Sequence, residues 1–258
     1  MCGRFALTAT PDEVRRWFGY PETPNFPARY NIAPTQPIAI VRTEGGGRHF
    51  ALVRWGLVPS WVKDPNEFSL LINARSETAA EKPSFRNAMK NGRCLVPASG
   101  FYEWRRPDSG PKQAYWIRPR DGGLVAFAGL WESWADRDGG DVETGAILTT
   151  NASPTIAAIH HRMPAVIAPE DFDAWLDTAT VPARKAVEML KPAPDDLFEA
   201  IPVSNRVNAV RNDDPDLLSE IEIEEGSEPA PAPKRAAAGG KKASAKKSPP
   251  DDGQMSLL

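Results

Sequence analysis

The first residues, Met1-Cys2-Gly3, bring two reactive groups together at one position once Met1 is removed. Methionine aminopeptidases remove Met1 when the next residue is small, which leaves a free α-amine two carbons from a thiol. Their reference pKa values are about 8 and about 8.5, so a useful fraction of each is reactive near neutral pH. Such an aminothiol condenses with an aldehyde to a Schiff base and then closes to a thiazolidine ring. The alternative is that Cys2 is only a small residue at a frayed terminus.

The segment 71–78 places an amide, a guanidinium and a carboxylate directly after an apolar pair. This stretch is too polar for a core strand. Asn73 has the donors and the acceptor to hold an amine or a sugar hydroxyl, and Arg75 can bind a phosphate through two hydrogen bonds. The alternative is an ordinary loop with a surface pair between Arg75 and Glu77.

Glu103 is a single carboxylate flanked by Phe101, Tyr102 and Trp104. Strand alternation places it on the face of Phe101 and opposite the other two aromatic residues, which favours burial. A buried carboxylate suits a proton shuttle, whereas an outward-facing one is merely solvated. Both interpretations stay open at this stage.

His160 and His161 precede Arg162, between a predicted helix and a predicted strand. Loop histidines beside a basic residue suit acid–base chemistry or phosphate contact, although surface or capping histidines look the same in sequence. There is no Cys-x-x-Cys and no standard histidine spacing, so we predict no metal and no cofactor. In a reducing cytosol the two cysteines, Cys2 and Cys94, are expected to remain free thiols.

Short apolar runs separated by turn residues must position these groups. They predict strands over 37–42, 49–58, 93–97, 100–105, 113–118, 124–131, 145–150 and 163–167. A helix is predicted from Thr10, because Pro11, Asp12 and Glu13 follow it, and further helices over 84–90, 153–160, 169–175 and 182–190. There is no βαβ rhythm. The predicted class is α+β, with a mostly antiparallel, curled or barrel-like sheet and peripheral helices.

The composition, 41% hydrophobic and 25% charged, is typical of a globular protein, and the formal charge of −3 excludes a globally basic surface. Any nucleic-acid contact must therefore come from a local basic cluster. With no apolar run long enough to span a membrane and no secretory signal, we predict a cytoplasmic protein. From Glu224 the chain becomes rich in Pro, Ala, Gly, Ser and Lys, so the prediction is a folded domain over 1–223 and a disordered tail over 224–258.

Six motifs occur together in one order along the chain. They are Met-Cys-Gly-Arg-Phe at 1–5, Arg-Tyr-Asn-Ile-Ala-Pro-Thr at 29–35, Arg-Trp-Gly-Leu-Val-Pro-Ser-Trp at 54–61, Asn-Ala-Arg-Ser-Glu at 73–77, Gly-Phe-Tyr-Glu-Trp at 100–104 and His-His-Arg-Met-Pro at 160–164. Together they resemble the SOS response-associated peptidase (SRAP) family of abasic-site processing proteins, over about residues 2–218. The resemblance implies the SRAP fold.

The resemblance also implies a function: a sensor of abasic sites in single-stranded DNA that protects the lesion by a covalent crosslink during DNA repair and the SOS response. It implies that Cys2 forms the thiazolidine, Asn73 orients the amine and the opened sugar, Glu103 handles protons at the amine, and His160 assists ring opening and reversal. The DNA-binding residues it implies are Arg4, Arg75 and Arg162 for phosphates, and Pro34 and Trp61 for displaced bases. Val62 stands where some relatives have a second aromatic residue.

Two other functions stay open from the sequence. One is a cysteine-dependent peptidase with Cys2 as N-terminal nucleophile, since the family is classed as a peptidase; lyase activity is also open. The other is a non-covalent binder of single-stranded DNA. In addition, the last five residues resemble the pentapeptide by which bacterial repair proteins dock on the replication sliding clamp, behind a basic linker. They are Gln254, Met255, Ser256, Leu257 and Leu258.

Overall fold

The computed structural model describes residues 2–106, 110–135 and 140–223, and in these the protein is mostly β with a few short helices. The strands are β1 Phe5–Leu7, β2 Arg29–Ile32, β3 Pro37–Glu44, β4 Gly47–Trp55, β5 Asn73–Arg75, β6 Arg93–Ala98, β7 Gly100–Arg105, β8 Gln113–Pro119, β9 Val125–Ala135, β10 Asp141–Asn151, β11 Arg162–Pro164, β12 Val166–Ile167 and β13 Phe198–Val203. The α-helices are α1 Pro11–Phe18, α2 Arg86–Asn91, α3 Pro154–Ala157, α4 Phe172–Leu176 and α5 Ala183–Ala186. Turns of 3-10 helix cover Pro169–Asp171, Val187–Met189, Asn205–Asn208 and Pro215–Leu218.

Five strands close into a barrel in the order β10-β4-β3-β6-β9 and back to β10. A closed ring with an odd number of strands cannot be antiparallel throughout, because the directions cannot alternate all the way round. The parallel pair is β4 with β10, where Arg54 lies opposite Thr144 and Trp55 opposite Gly145. The short strands β5, β11 and β12 extend this sheet from β10 and β9.

A second, antiparallel sheet has the order β13-β8-β7-β1-β2. Its aromatic residues pack edge-on against those of the barrel: the ring centroids of Phe5 and Trp55 are 5.3 Å apart, and those of Phe101 and Phe127 are 5.9 Å apart. One hydrophobic core therefore joins the two sheets. Burial of these rings fixes β1 and β7, which lie beside Cys2 and Glu103, against the barrel.

The eight predicted strands are confirmed, with ends that move by a few residues, and the helix after Thr10 begins with the expected capping box. The stretch 71–78, predicted to be too polar for a core strand, contains the short strand β5, which pairs in parallel with β10 and has one buried residue, Ala74. Sequence reasoning also missed β1, β2 and β13. Among the described residues no helix is long and apolar enough to cross a membrane. The predicted tail, 224–258, lies outside the described residues.

The buried side chain of Asn31 connects β2 to the segment that follows β13. Its amide nitrogen donates to the backbone carbonyls of Val207, Ala209 and Asn212, at 3.2, 3.2 and 2.7 Å. Its oxygen accepts a hydrogen bond from Arg4 at 2.9 Å. The motif at 29–35 thus gains a structural role, because it holds the later part of the domain on the second sheet.

We predict that Asn31→Ala lowers the free energy of unfolding by about 3 kcal/mol, because buried carbonyls and the Arg4 guanidinium lose their partner. Urea unfolding followed by tryptophan fluorescence measures this. Asn66→Ala is the control, since Asn66 is exposed and should change stability by less than about 0.5 kcal/mol. Equal stability of the two variants would contradict the role given to Asn31.

Candidate active site

Cys2 lies three residues before β1 and is fully buried, so it is not a frayed terminal residue. Its thiol is free and contacts the Arg4 carbonyl oxygen at 3.7 Å. Burial, and then the nearby negative charge of Glu103, raises the pKa of the Cys2 thiol far above its ordinary value. At neutral pH the sulfur is therefore held as the protonated thiol.

Asn73 holds the backbone of Cys2. Its amide nitrogen donates to the Cys2 carbonyl oxygen at 2.8 Å. This reach is possible because β5 lies beside β10, next to the start of the second sheet. The side-chain oxygen of Asn73 is buried, and within the described part of the chain it has no hydrogen-bond partner. It is thus an acceptor available to a donor that enters the site.

Glu103 lies on β7 and faces inward, with only 3% of its surface exposed, which confirms the alternative that favoured burial. Its Oε1 is 3.9 Å from Nδ1 of His160, in the segment that follows α3. The Glu103 charge also acts on the Cys2 thiol, so Glu103 lies close enough to interact with both the cysteine and the histidine. The structure therefore brings the four sequence-predicted groups, Cys2, Asn73, Glu103 and His160, into one site.

The backbone of Arg162 orients the His160 ring. Nδ1 of His160 lies 3.0 Å from the Arg162 backbone nitrogen and 3.1 Å from the Arg162 carbonyl oxygen, so this backbone fixes the position of the ring. Burial lowers the pKa of His160, and the Glu103 charge acts in the opposite direction. His160 is thus neutral near pH 7. The His161 ring stacks on it at a centroid distance of 4.4 Å.

The guanidinium of Arg162 is buried, so its expected position on a DNA phosphate does not match the structure. It forms two hydrogen bonds with Glu77 and others with Asn151 and the Thr149 carbonyl oxygen. This places Arg162 in a positioning role, because the same residue holds His160 through its backbone. Sequence reasoning missed Thr149 and Asn151, although polar residues ending an apolar strand were a usable signal.

Arg4 and Arg75 also differ in whether their guanidinium groups are hydrogen-bonded within the protein. The Arg4 guanidinium donates to Asn31 and to the carbonyl oxygens of Val207 and Asn208, and burial lowers its pKa. Arg75 has an exposed side chain on β5, two residues after Asn73, and so faces the same side of the strand. Of the three predicted phosphate-binding arginines, only Arg75 presents its side chain to solvent without a partner among the described residues.

Trp61 is 56% exposed, and its ring meets Phe68 edge-on at 5.6 Å. Val62 turns inward instead and packs with Val58 and Trp134, whose indole donates to the Val62 carbonyl oxygen at 2.7 Å. Val62 therefore fixes the loop that presents Trp61. Pro34 is half-buried before Thr35. Among the described residues no cluster of His, Cys, Asp or Glu could hold a metal ion.

Comparison with known proteins gives one consistent result. The family model described as SOS response associated peptidase (SRAP) matches residues 1–210. Abasic site processing protein YoqW of Bacillus subtilis (strain 168) is 37% identical over 222 residues, which cover 84% of this chain and 99% of that protein. Abasic site processing protein HMCES of Gallus gallus is 34% identical over 267 residues, covering 86% and 79%. A crystal structure of a Bacteroides thetaiotaomicron protein has a TM-score of 0.77 at 25% identity, covering 86% of this chain and all of that one.

We predict that Glu103→Gln lowers the pKa of His160 further, because the carboxylate charge favours the protonated ring and its loss removes that support. An NMR titration of the His160 ring proton measures the midpoint. Glu199→Gln is the matched control, since Glu199 pairs with Arg118 on the surface of the second sheet. A midpoint that rises in Glu103→Gln, or that moves equally in both variants, would contradict this coupling.

Proposed function

This chain belongs to the SOS response associated peptidase family, and from that premise we propose that it binds abasic sites in single-stranded DNA and crosslinks to them through Cys2. Removal of Met1 gives the amine that the reaction needs. The main support is that Cys2 is buried in one site with Asn73, Glu103 and His160. Curated relatives with similar sequence are named abasic site processing proteins.

The chemistry begins with the aldehyde form of the abasic deoxyribose. Neutral His160 assists ring opening by moving a proton between the C1′ hydroxyl and the ring oxygen, and Glu103 takes a proton from the Cys2 ammonium. The amine then adds to C1′, and loss of one water gives a Schiff base. In the last step sulfur bonds to C1′ and the thiol proton moves to nitrogen, which closes the thiazolidine without an oxidant or reductant.

The burial of the sulfur sets the order of these steps. Because the pKa of the Cys2 thiol is raised, the thiolate is scarce near pH 7. The α-amine, whose reference pKa is about 8, is therefore the first nucleophile. The thiol acts second, when the imine carbon is already held beside it. Asn73 fixes the Cys2 backbone throughout, and its free acceptor suits the amine or the opened sugar.

The same property weighs against a peptidase acting on other proteins. Such an enzyme needs a thiolate as its nucleophile, and burial raises the pKa of the Cys2 thiol so that its sulfur stays protonated. DNA contact is assigned to Arg75 for a phosphate and to Trp61 and Pro34 for bases, because Arg75 and Trp61 are exposed and Arg75 follows Asn73 on β5. Arg4 and Arg162 support the site from within.

Incubation of the mature protein with an abasic oligonucleotide tests the proposal on a denaturing gel. We expect a shifted species that survives denaturation, is absent in Cys2→Ala, and is absent when Met1 or a tag is retained. Cys2→Ser should give a Schiff base that only borohydride makes stable, because its amine remains and ring closure fails.

Cys94→Ala is the matched control, since Cys94 is the other buried free cysteine and lies on β6 of the barrel. It should crosslink like the wild type. Crosslinking that persists in Cys2→Ala, or hydrolysis of peptides by a protein that does not crosslink, would overturn the proposed function.

We also propose that the C-terminal pentapeptide docks on the sliding clamp, on sequence alone. A peptide tethered to a domain raises the local concentration of that domain near replicating DNA once the peptide is bound. The expected result is that full-length protein binds purified clamp, whereas a chain ending at Ser248 and a Leu257→Ala variant do not. Asp251→Ala is the control and should bind. Equal binding by all forms would contradict the proposal.

A further inference from the structure

A cleft of about 670 Å³ opens beside the candidate active site, with Glu103 and His160 among its lining residues. One wall is the segment 157–161 that follows the start of α3. The other wall consists of residues at the end of β7 and just before β8, among them Arg105, Arg106 and Lys112. The cleft thus continues directly from the two groups that handle protons in the proposed reaction.

The wall formed by the end of β7 and the residues before β8 is held in place by the segment after β13. The Trp104 indole donates to the Asn208 side chain at 2.8 Å, and the Asn205 side chain donates to the Lys112 carbonyl oxygen at 3.0 Å. Arg105 lies two residues after Glu103 on β7, so both side chains share a face of the strand, about 7 Å apart along it. A defined backbone therefore presents the cations to the cleft.

The described residues that line this cleft include three cations, Arg105, Arg106 and Lys112, and one carboxylate, that of Glu103. Several arginines elsewhere in the fold have carboxylate partners, as in the pairs of Arg42 with Glu143 and Arg48 with Asp173. Arg105, Arg106 and Lys112 are exposed, and none of the three forms an ion pair within the described part of the chain. Several unpaired cations around a concave opening favour a polyanion, and guanidinium groups match phosphate oxygens in geometry.

We propose that this cleft binds the phosphodiester backbone of the damaged strand on one side of the lesion. The inference rests on the proposed function, since the abasic sugar at Cys2 carries a phosphate on each side. Arg75 follows Asn73 on the extension of the barrel sheet and binds a phosphate on one side of the lesion. The cations of the cleft follow Glu103 on the second sheet and bind the phosphates on the other side of the lesion.

The test compares the charge reversal Arg105→Glu/Lys112→Glu with wild type, using full-length mature protein and an abasic oligonucleotide under single-turnover conditions. We expect the apparent second-order rate of crosslinking to fall at least about tenfold at low salt, and its dependence on salt to become weaker. This fall should result mainly from an increase in the DNA concentration that gives half the maximal rate. Arg105→Gln/Lys112→Gln should lose less, and thermal melting checks that each variant is folded.

Two controls test whether the effect is specific to this cleft. Arg86→Glu/Lys90→Glu reverses two cations that line a different cleft, away from Glu103 and His160, and should leave the rate within about twofold. In addition, oligonucleotides are shortened to the lesion on either its 5′ or its 3′ side. With one shortened oligonucleotide the Arg105/Lys112 variant should still crosslink more slowly than wild type. With the other the two rates should be equal, because that oligonucleotide lacks the phosphates that would lie in the cleft.

The outcomes separate the two proposals. If wild type forms no crosslink, the proposed function fails. If wild type crosslinks while the Arg105/Lys112 and Arg86/Lys90 variants show equal rates, the cleft has no role in binding the strand. A defect that is the same with both shortened oligonucleotides would also overturn the inference, because it would reflect overall charge rather than a bound backbone.

Discussion

The hydrogen bond from Asn73 to the Cys2 carbonyl oxygen is the interaction on which the site depends. It joins the first residues of the second sheet to an extension of the barrel. Asn73 is in reach only because β5 runs parallel to β10, and β10 also forms the parallel pair that an odd-stranded barrel requires. A chain terminus, which is ordinarily mobile, is thereby fixed as part of the core.

Two arginines, the buried Arg162 and the partly buried Arg4, extend this framework around the site. Arg162 is neutralised by Glu77, and its backbone orients the ring of His160. Arg4 donates to Asn31 and to the segment after β13, which in turn holds the wall of the adjoining cleft. A buried guanidinium without partners would be costly, so each of these contacts specifies one arrangement of neighbouring elements. The arginines that remain at the surface are then the ones available to a phosphate.

The environment of Cys2 affects its two reactive groups, the amine and the thiol, differently. Burial keeps the sulfur protonated. In the proposed reaction the amine of the terminal aminothiol therefore reacts first and the sulfur second. A neutral histidine and a nearby carboxylate suit the proton transfers of imine formation. The site thus suits condensation with an aldehyde better than attack by a free thiolate.

The sequence by itself determined the family, the main strands, the helix after Thr10 and the four chemical groups of the site, because apolar periodicity, capping residues and short motifs are local properties. It could not predict β5, since the polar residues Asn73 and Arg75 form a strand only through backbone pairing with β10. Nor could it separate Arg75 from Arg162. Both are arginines in a motif, and only the fold buries one against Glu77 and exposes the other. Tertiary structure alone decided these points, because burial, partners and shifted pKa values arise from residues far apart in the chain.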